Sequence, residues 1–161
     1  MGGLLRGALR ETAVRIDHVG STSVVGLDAK PVIDIQVSVL QLEPDTSFRG
    51  PMDELGFVYW PTNVDRSKRF FREPPGARRT HVHVRRAGSF DEQLNLLLRD
   101  YLRTHSEACR TYASVKHELA TRFRHDRDGY VRAKAATVWS LLSQAHEWLQ
   151  EVGWQPTASD A

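Results

Sequence analysis

The residues best placed to do chemistry lie in the stretch from His18 to Val39. Gly20, Ser21, Thr22 and Ser23 follow one another after Val19, a loop rich in hydroxyls and backbone N–H groups. Such a loop can cradle an anion such as phosphate. After twelve intervening residues, 22 through 33, Ser21 is followed by Asp34, inside the β-branched run Val32-Ile-Asp-Ile-Gln-Val-Ser-Val39. A carboxylate in such a run is costly unless it is paired, hydrated or bound to a metal. An anion loop leading into a strand-borne acid can hold a phosphate and a divalent metal together. The plain alternative is a tight turn followed by an edge strand with one solvated Asp.

Histidines supply the next candidates. In Thr80–Arg86, Val82 and Val84 alternate with His81, His83 and Arg85, the period of a half-buried strand. His81 and His83 therefore share one face. Asp34 with His81 and His83 would suit Zn²⁺, Mn²⁺ or Ni²⁺. A His83–Asp34 pair would equally serve as base and orienter. His18 is a third histidine that could complete the site with His83. Each of these histidines alone also reads as a hydrogen-bonded structural residue.

Basic residues are unevenly spread. Arg66, Lys68, Arg69, Arg72, Arg78, Arg79, Arg85 and Arg86 fall within 21 positions, and Glu73 is the only acid among them. They form either a solvated sheet rim or a clamp for phosphate, in which Arg69 and Arg72 flank Phe70-Phe71. Lys30 lies just before the Asp34 strand. Further on, Arg99 and Arg103, Tyr112 and Lys116, and Tyr130 and Lys134 each share a helical face. Lys116 and Lys134 would supply positive charge toward the Gly20–Ser21 loop, or else snorkel at the surface. Cys109 has His105 four residues before it, just ahead of its expected helix, and no His four residues after it, so the helix itself offers no imidazole partner for a catalytic thiol.

The elements that must position these groups follow from patterning. The chain has 161 residues, 40% hydrophobic and 26% charged, which suits one soluble globular domain. We expect that domain over residues 1–152, with 153–161 as a loose tail. A single cysteine excludes an internal disulfide and any zinc site built on cysteines. No run approaches the ~20 apolar residues of a membrane span, and no signal-like apolar segment opens the chain; the cytoplasm is the expected location. The net charge of +2 is too mild to imply nucleic acid by itself.

Leu4–Val14 has helical spacing, and Arg15–Val19 reads as a strand feeding the loop. Pro31 opens the strand Val32–Leu40. Residues 44–50 read as a loop, with a short helix at Pro51–Leu55. Strand-like pieces follow at Phe57–Trp60, Lys68–Arg72 and Thr80–Arg86. Ser89-Phe-Asp-Glu92 resembles a capping box for a helix over Phe90–Thr104. Two more helices are expected, over Ser106–Phe123 and from Tyr130 to about Val152. The expected class is α+β: a small mixed sheet with a C-terminal helical half packed on it.

Several separated pieces carry a family resemblance. They are His18-Val-Gly-Ser-Thr-Ser-Val24, Gly26-Leu27, Ala29-Lys-Pro-Val-Ile-Asp-Ile35 and Thr80-His-Val-His-Val84. In the helical half they are Arg99-Asp-Tyr-Leu-Arg-Thr-His105, Tyr112, Lys116-His-Glu-Leu-Ala120, Tyr130 and Ala133-Lys-Ala135. Together they resemble the GrpB family, over roughly residues 10 to 145. The resemblance implies a nucleotidyltransferase-like fold, in which the loop binds nucleotide phosphates and strand acids hold a divalent metal (Mg²⁺, Mn²⁺ or Zn²⁺). In some proteins the domain is fused to a dephospho-coenzyme A kinase. Distant fungal relatives are linked to tRNA-dependent cyclodipeptide formation.

The chain departs from that pattern in places. Val25 stands where family sequences carry Pro, and the Pro-Trp pair that opens many members is absent before Leu4. Gln36 occupies the position of the second strand acid, and the His81–Val84 strand carries no third acid. Conventional two-metal nucleotidyl transfer needs those charges. The resemblance and the residues together imply a protein that binds a nucleotide or another small phosphorylated ligand, as a metal-assisted transferase. The ligand set would be Gly20, Ser21, Thr22, Lys30, Arg69, Arg72, Arg99, Tyr112, Lys116 and Lys134. Asp34 and His83 would be catalytic, and Asp34, His81 and His83 would hold the metal. Two alternatives stand beside it: a non-catalytic ligand-binding domain on a decayed transferase fold, and an acyl transferase using aminoacyl-tRNA.

Overall fold

The computed structural model describes all residues, 1–161. Helix α1 spans Gly2–Leu9, and strand β1 spans Arg15–Val19. A 3₁₀ turn, Arg10–Thr12, precedes β1, and a second, Ser21–Ser23, follows it. Strand β2 is Ile33–Val39, helix α2 Thr46–Glu54, and strands β3, β4 and β5 are Val58–Tyr59, Lys68–Arg72 and Thr80–Arg86. Helices α3 (Phe90–Thr104), α4 (Ser106–Arg122) and α5 (Arg127–Val152) form the second half. No helix is long and apolar enough to cross a membrane.

The sheet order is β1-β2-β5-β4-β3. Only β2 and β5 run parallel, with Asp34 opposite His81 and Gln36 opposite His83. The expected α+β class with a small mixed sheet and a helical half is the class observed.

Strand parity sorts the sheet into two faces. Ile16, Ile35, Val37, Val39, Val82, Val84 and Phe71 point to one face, where α1 and α2 add Leu5, Leu9, Phe48 and Met52 to make the first core. The other face carries Asp17, Asp34, Gln36, Ser38, His81 and His83. Part of it lies under α3, and its polar groups are paired there. Ser38 donates to Glu92 Oε1 at 2.7 Å, and Gln36 Nε2 donates to the Glu92 carbonyl at 3.1 Å.

A second core joins the helices to the loop region. Val24 and Leu27 pack with Leu97, Tyr101, Tyr112, Leu141 and Ala145. These apolar anchors seat the residues around Ser21 against α4 and α5. Burying a side chain of this size contributes about 1.5–3 kcal/mol, so the loop is held by packing as well as by its turn.

Three local expectations are corrected. Helix α2 begins at Thr46, five residues before the expected start at Pro51, because Phe48 and Met52 four apart bury one stripe of it. Pro51 sits inside this helix at its sixth position, where it removes the N–H that would bond the Ser47 carbonyl. Second, the capping box does not form. Ser89 makes no side-chain cap, while Glu92 Oε2 accepts from the Gly88 N–H at 3.0 Å. Third, residues 153–161 have no regular structure, yet they are docked rather than loose. The Asp160 N–H donates to the Ile16 carbonyl at 3.1 Å, and Ser159 Oγ accepts from the Ile16 N–H at 2.9 Å. The segment thereby covers the free edge of β1, a place where unpaired backbone groups invite association.

Candidate functional site

Asp34 is the centre of the open face. Its Oδ1 lies 3.2 Å from His81 Nδ1 and 3.2 Å from His83 Nε2. The parallel β2–β5 register makes this possible, since His81 lies opposite Asp34 and His83 follows two residues on, on the same face. Phe70 on β4 walls the cluster, its ring centre 5.3 Å from that of His81 and 5.2 Å from that of His83. Burial pushes the Asp34 carboxyl up, but the bonds to His81 and His83 outweigh it and hold the group well below the usual carboxylate range. Burial also holds His83 below the ordinary histidine value, against the pull of Asp34.

One carboxylate oxygen and two imidazole nitrogens lie within 4.8 Å of one another. Two His and one carboxylate suit a transition metal such as Zn²⁺ or Mn²⁺ better than Mg²⁺, which prefers oxygen. All three donors sit on packed strands, so the set is preorganised. An ionised Asp34 beside a His83 that resists protonation is the state that ligation needs.

The Gly20–Ser21 loop closes on this cluster. Gly20 has φ +71°, and a Cβ placed there would lie 2.8 Å from Asp34 Oδ2. Ser21 turns the other way, to the helices. Its Oγ lies 3.1 Å from Lys116 Nζ, which also donates to the Asp28 carbonyl at 2.5 Å. Lys116 lies over the Tyr112 ring at 4.9 Å, and Lys30 and Lys134 flank the Tyr130 ring at 5.7 and 5.9 Å. Burial lowers both Lys116 and Lys134; Lys134 adds to the effect at Lys116, while Asp34 supports the charge on Lys134. Burial pushes the Tyr112 phenol up to about 12, so it stays a neutral hydroxyl.

Comparison with known proteins identifies the family of the chain. The GrpB protein family model matches residues 3–144. The chain belongs to the GrpB family. It is similar to UPF0157 protein PA4798 of Pseudomonas aeruginosa, 41% identical over 88% of this chain and 59% of that protein. Dephospho-CoA kinase of Mycolicibacterium paratuberculosis is 30% identical over 94% of this chain and 44% of its own length. The chain thus spans about three fifths or less of these two relatives. Among solved structures, that of conserved protein GrpB from Enterococcus faecalis matches at TM-score 0.80 and 30% identity, covering 92% of this chain and 89% of that one. A weaker overlap, at TM-score 0.48 and 17% identity, is with Cid1 in complex with its short product ApU.

Within this GrpB-family chain, the residues singled out from sequence divide clearly. Gly20, Ser21, Lys30, Asp34, His81, His83, Tyr112, Lys116 and Lys134 gather around the loop and the open face. Arg72 shares that face opposite His81, ion-paired with Glu73 at 3.0 Å. Four others do not join. Thr22 spends its hydroxyl on the Val32 carbonyl at 3.1 Å and receives His18 Nε2 at 2.9 Å. His18 itself pairs with Ile35, on the opposite sheet face from Asp34. Arg69 also points to the opposite face; it pairs with Glu43 and lines a separate cavity of about 200 Å³ with Arg49 and Tyr59.

Arg99 is the largest correction. It is 2% exposed and bonds Asp17 at 3.0 Å, Asp100 at 2.8 Å and the Thr157 hydroxyl at 2.8 Å. It holds α3, β1 and the C-terminal segment together and reaches no ligand space. The arginine clamp likewise disperses, with Arg66, Arg78, Arg79 and Arg86 exposed and Arg85 tied to Asp65 and Asp91. Lys68, named in the basic cluster but left out of the expected ligand set, is the member that faces the site. Its β4 parity places it with Phe70 on the His face, where its charge is felt by His83.

Proposed function

We propose that this GrpB-family protein binds a small phosphorylated ligand, nucleotides included, beside a single divalent metal, in the manner of a metal-assisted transferase. The observation that supports this most is the double contact of the Gly20–Ser21 loop. One side of it abuts Asp34 of the Asp34–His81–His83 cluster, and the other presents Ser21 to Lys116. A ligand lying along the loop would meet the metal donors at one end and cations at the other.

Each part has a physical role. Asp34, His81 and His83 would hold the ion, which when bound supplies Lewis-acid polarisation of a phosphoryl oxygen. Lys134 and Lys30, stacked on Tyr130, would neutralise phosphate charge from the α5 side. Ser21 and the loop N–H groups would orient it. Phe70 shields the imidazoles from water. Gln36 takes no part: it is fully buried, and its Oε1 accepts from Asn95 at 2.8 Å. That locked side chain favours a second reading, ligand binding without turnover.

Calorimetry tests the proposal. Zn²⁺ and Mn²⁺ should each bind at one ion per chain, and Asp34→Ala or His83→Ala should abolish that binding. Nucleoside triphosphates titrated into the metal-loaded protein should bind, more weakly in Ser21→Ala and Lys134→Met. Absence of metal and nucleotide binding, or binding indifferent to these substitutions, overturns it. Binding without product from any nucleotide and acceptor pair selects the second reading.

A further inference from the structure

Ser21 and Lys116 form a pair whose geometry allows more than phosphate binding. A lysine that only neutralises an anion points its ammonium to the ligand. Lys116 instead sets its Nζ 3.1 Å from Ser21 Oγ and is fixed from behind by the Asp28 carbonyl at 2.5 Å. The Tyr112 ring packs along it at 4.9 Å. Both partners are half-buried, and neither is used by the Asp34 cluster. Ser21 also stands at the start of the 3₁₀ turn, seated by Val24 and Leu27 on the helices, so the hydroxyl is held in place.

From this geometry we infer that Ser21 and Lys116 are a nucleophile and its general base, able to take an acyl group from an activated ester or thioester. A neutral amine on Lys116 accepts the Ser21 proton while still donating to the Asp28 carbonyl. Oγ forms a bond to the carbonyl carbon of the donor. Collapse of the tetrahedral adduct breaks the bond to the leaving alcohol or thiol, which takes the proton back from Lys116. A second nucleophile, water or an amine, then attacks the seryl ester, and its proton returns to Ser21 Oγ through Lys116. The adjacent Lys134 supplies positive charge for the oxyanion.

The surroundings favour the neutral amine. Burial is the main cause and Lys134 on α5 adds to it, while Asp28, and Cys109 on the same helix, oppose them. His117 does not compete, since it is bonded to Asp28 Oδ2 at 2.9 Å. A general base positioned in this way contributes about 10²–10⁴-fold to rate. The inference goes beyond the ligand-binding reading and does not depend on the metal.

A fluorophosphonate probe tests it on the full chain in EDTA. Its fluoride should be displaced by Ser21 Oγ, leaving one covalent adduct on the peptide that contains Ser21, located by mass spectrometry. The labelling rate should rise with pH as Lys116 loses its proton, starting below the range of an ordinary lysine. Lys116→Arg keeps a long basic side chain but cannot accept a proton, so labelling should fall on the order of 100-fold. Lys116→Met should show the same loss of labelling, and Ser21→Ala should abolish it. No adduct on Ser21, or equal labelling in Lys116→Arg, overturns the inference. Failure of nucleotide binding with labelling intact would instead count against the ligand proposal alone.

Discussion

Gly20 and Asp34 touch across the end of the β1–β2 pair, so closely that a Cβ on Gly20 would meet Asp34 Oδ2 at 2.8 Å. The glycine has φ +71° and ψ −174°, a conformation essentially restricted to glycine. Gly20→Ala therefore carries two costs. The backbone strain should lower stability by about 1–3 kcal/mol, read from chemical denaturation. The added methyl should also push the Asp34 carboxylate away from His81 and His83. Metal affinity should drop at least about tenfold, a loss of ~1.4 kcal/mol. A stability loss with unchanged metal affinity would show that the contact does not set the position of Asp34.

Arg99 is expected to matter for folding and not for ligand. Arg99→Met keeps much of the volume but leaves the buried Asp17 and Asp100 short of a partner. Breaking a buried pair from one side costs about 3–5 kcal/mol. Arg15, which bonds both oxygens of Asp17 at 2.7 and 2.8 Å, should hold the loss near the lower end. Urea denaturation checks the stability. Metal titration of the folded fraction should match the unsubstituted protein, and a weakened metal site would return Arg99 to the ligand set.

The contrast between Arg99 and His83 shows what the sequence can convey. The alternation of Val82 and Val84 with His81 and His83 is local, so both the strand and the shared histidine face could be read from it. That Asp34 would lie beside them in parallel register depends on a crossover through α2, β3 and β4, which no local spacing encodes. Arg99 and Arg103 share a helical face, but Asp17 and Asp160, which claim Arg99, lie 82 and 61 residues away. Arg69 fails for a simpler reason. In Lys68–Arg72 the two parities are both basic and aromatic, so composition does not say which faces the core. Phe71 decides it by filling the first core, which turns Arg69 away from the site and Lys68 toward it.

Asp65 should govern part of the acid sensitivity. Burial raises its pKa, but Ser67, donating from its hydroxyl and from its N–H at 2.9 Å, together with Lys68 and Arg85, brings it down to about 2. The folded state thus favours the ionised form more than the unfolded chain does. The stabilisation is fully present above the ordinary value of 3.8 and is lost as pH falls through about 2. Asp65→Asn should reduce stability at neutral pH and flatten its slope in that window. Denaturant midpoints measured from pH 5 to pH 2 check this; an unchanged slope would assign the acid sensitivity elsewhere.

Gln36→Glu asks whether a second strand acid would restore a two-metal centre. Gln36 Nε2 donates to the Glu92 carbonyl at 3.1 Å, and Oε1 accepts from Asn95 at 2.8 Å. A carboxylate there keeps the Asn95 bond but sets its other oxygen against a carbonyl, two acceptors facing each other. Only the protonated acid can donate across that gap. The new carboxyl should therefore have a raised pKa, and the penalty should be small below about pH 4.3 and grow as pH rises. At neutral pH the cost should be about 1–3 kcal/mol, that of one unsatisfied buried group. Because α3 covers this position, metal stoichiometry should stay at one ion per chain. A second ion bound by Gln36→Glu, with stability unharmed, would mean that the α3 contact opens and that the acid pair of a two-metal transferase is one substitution away.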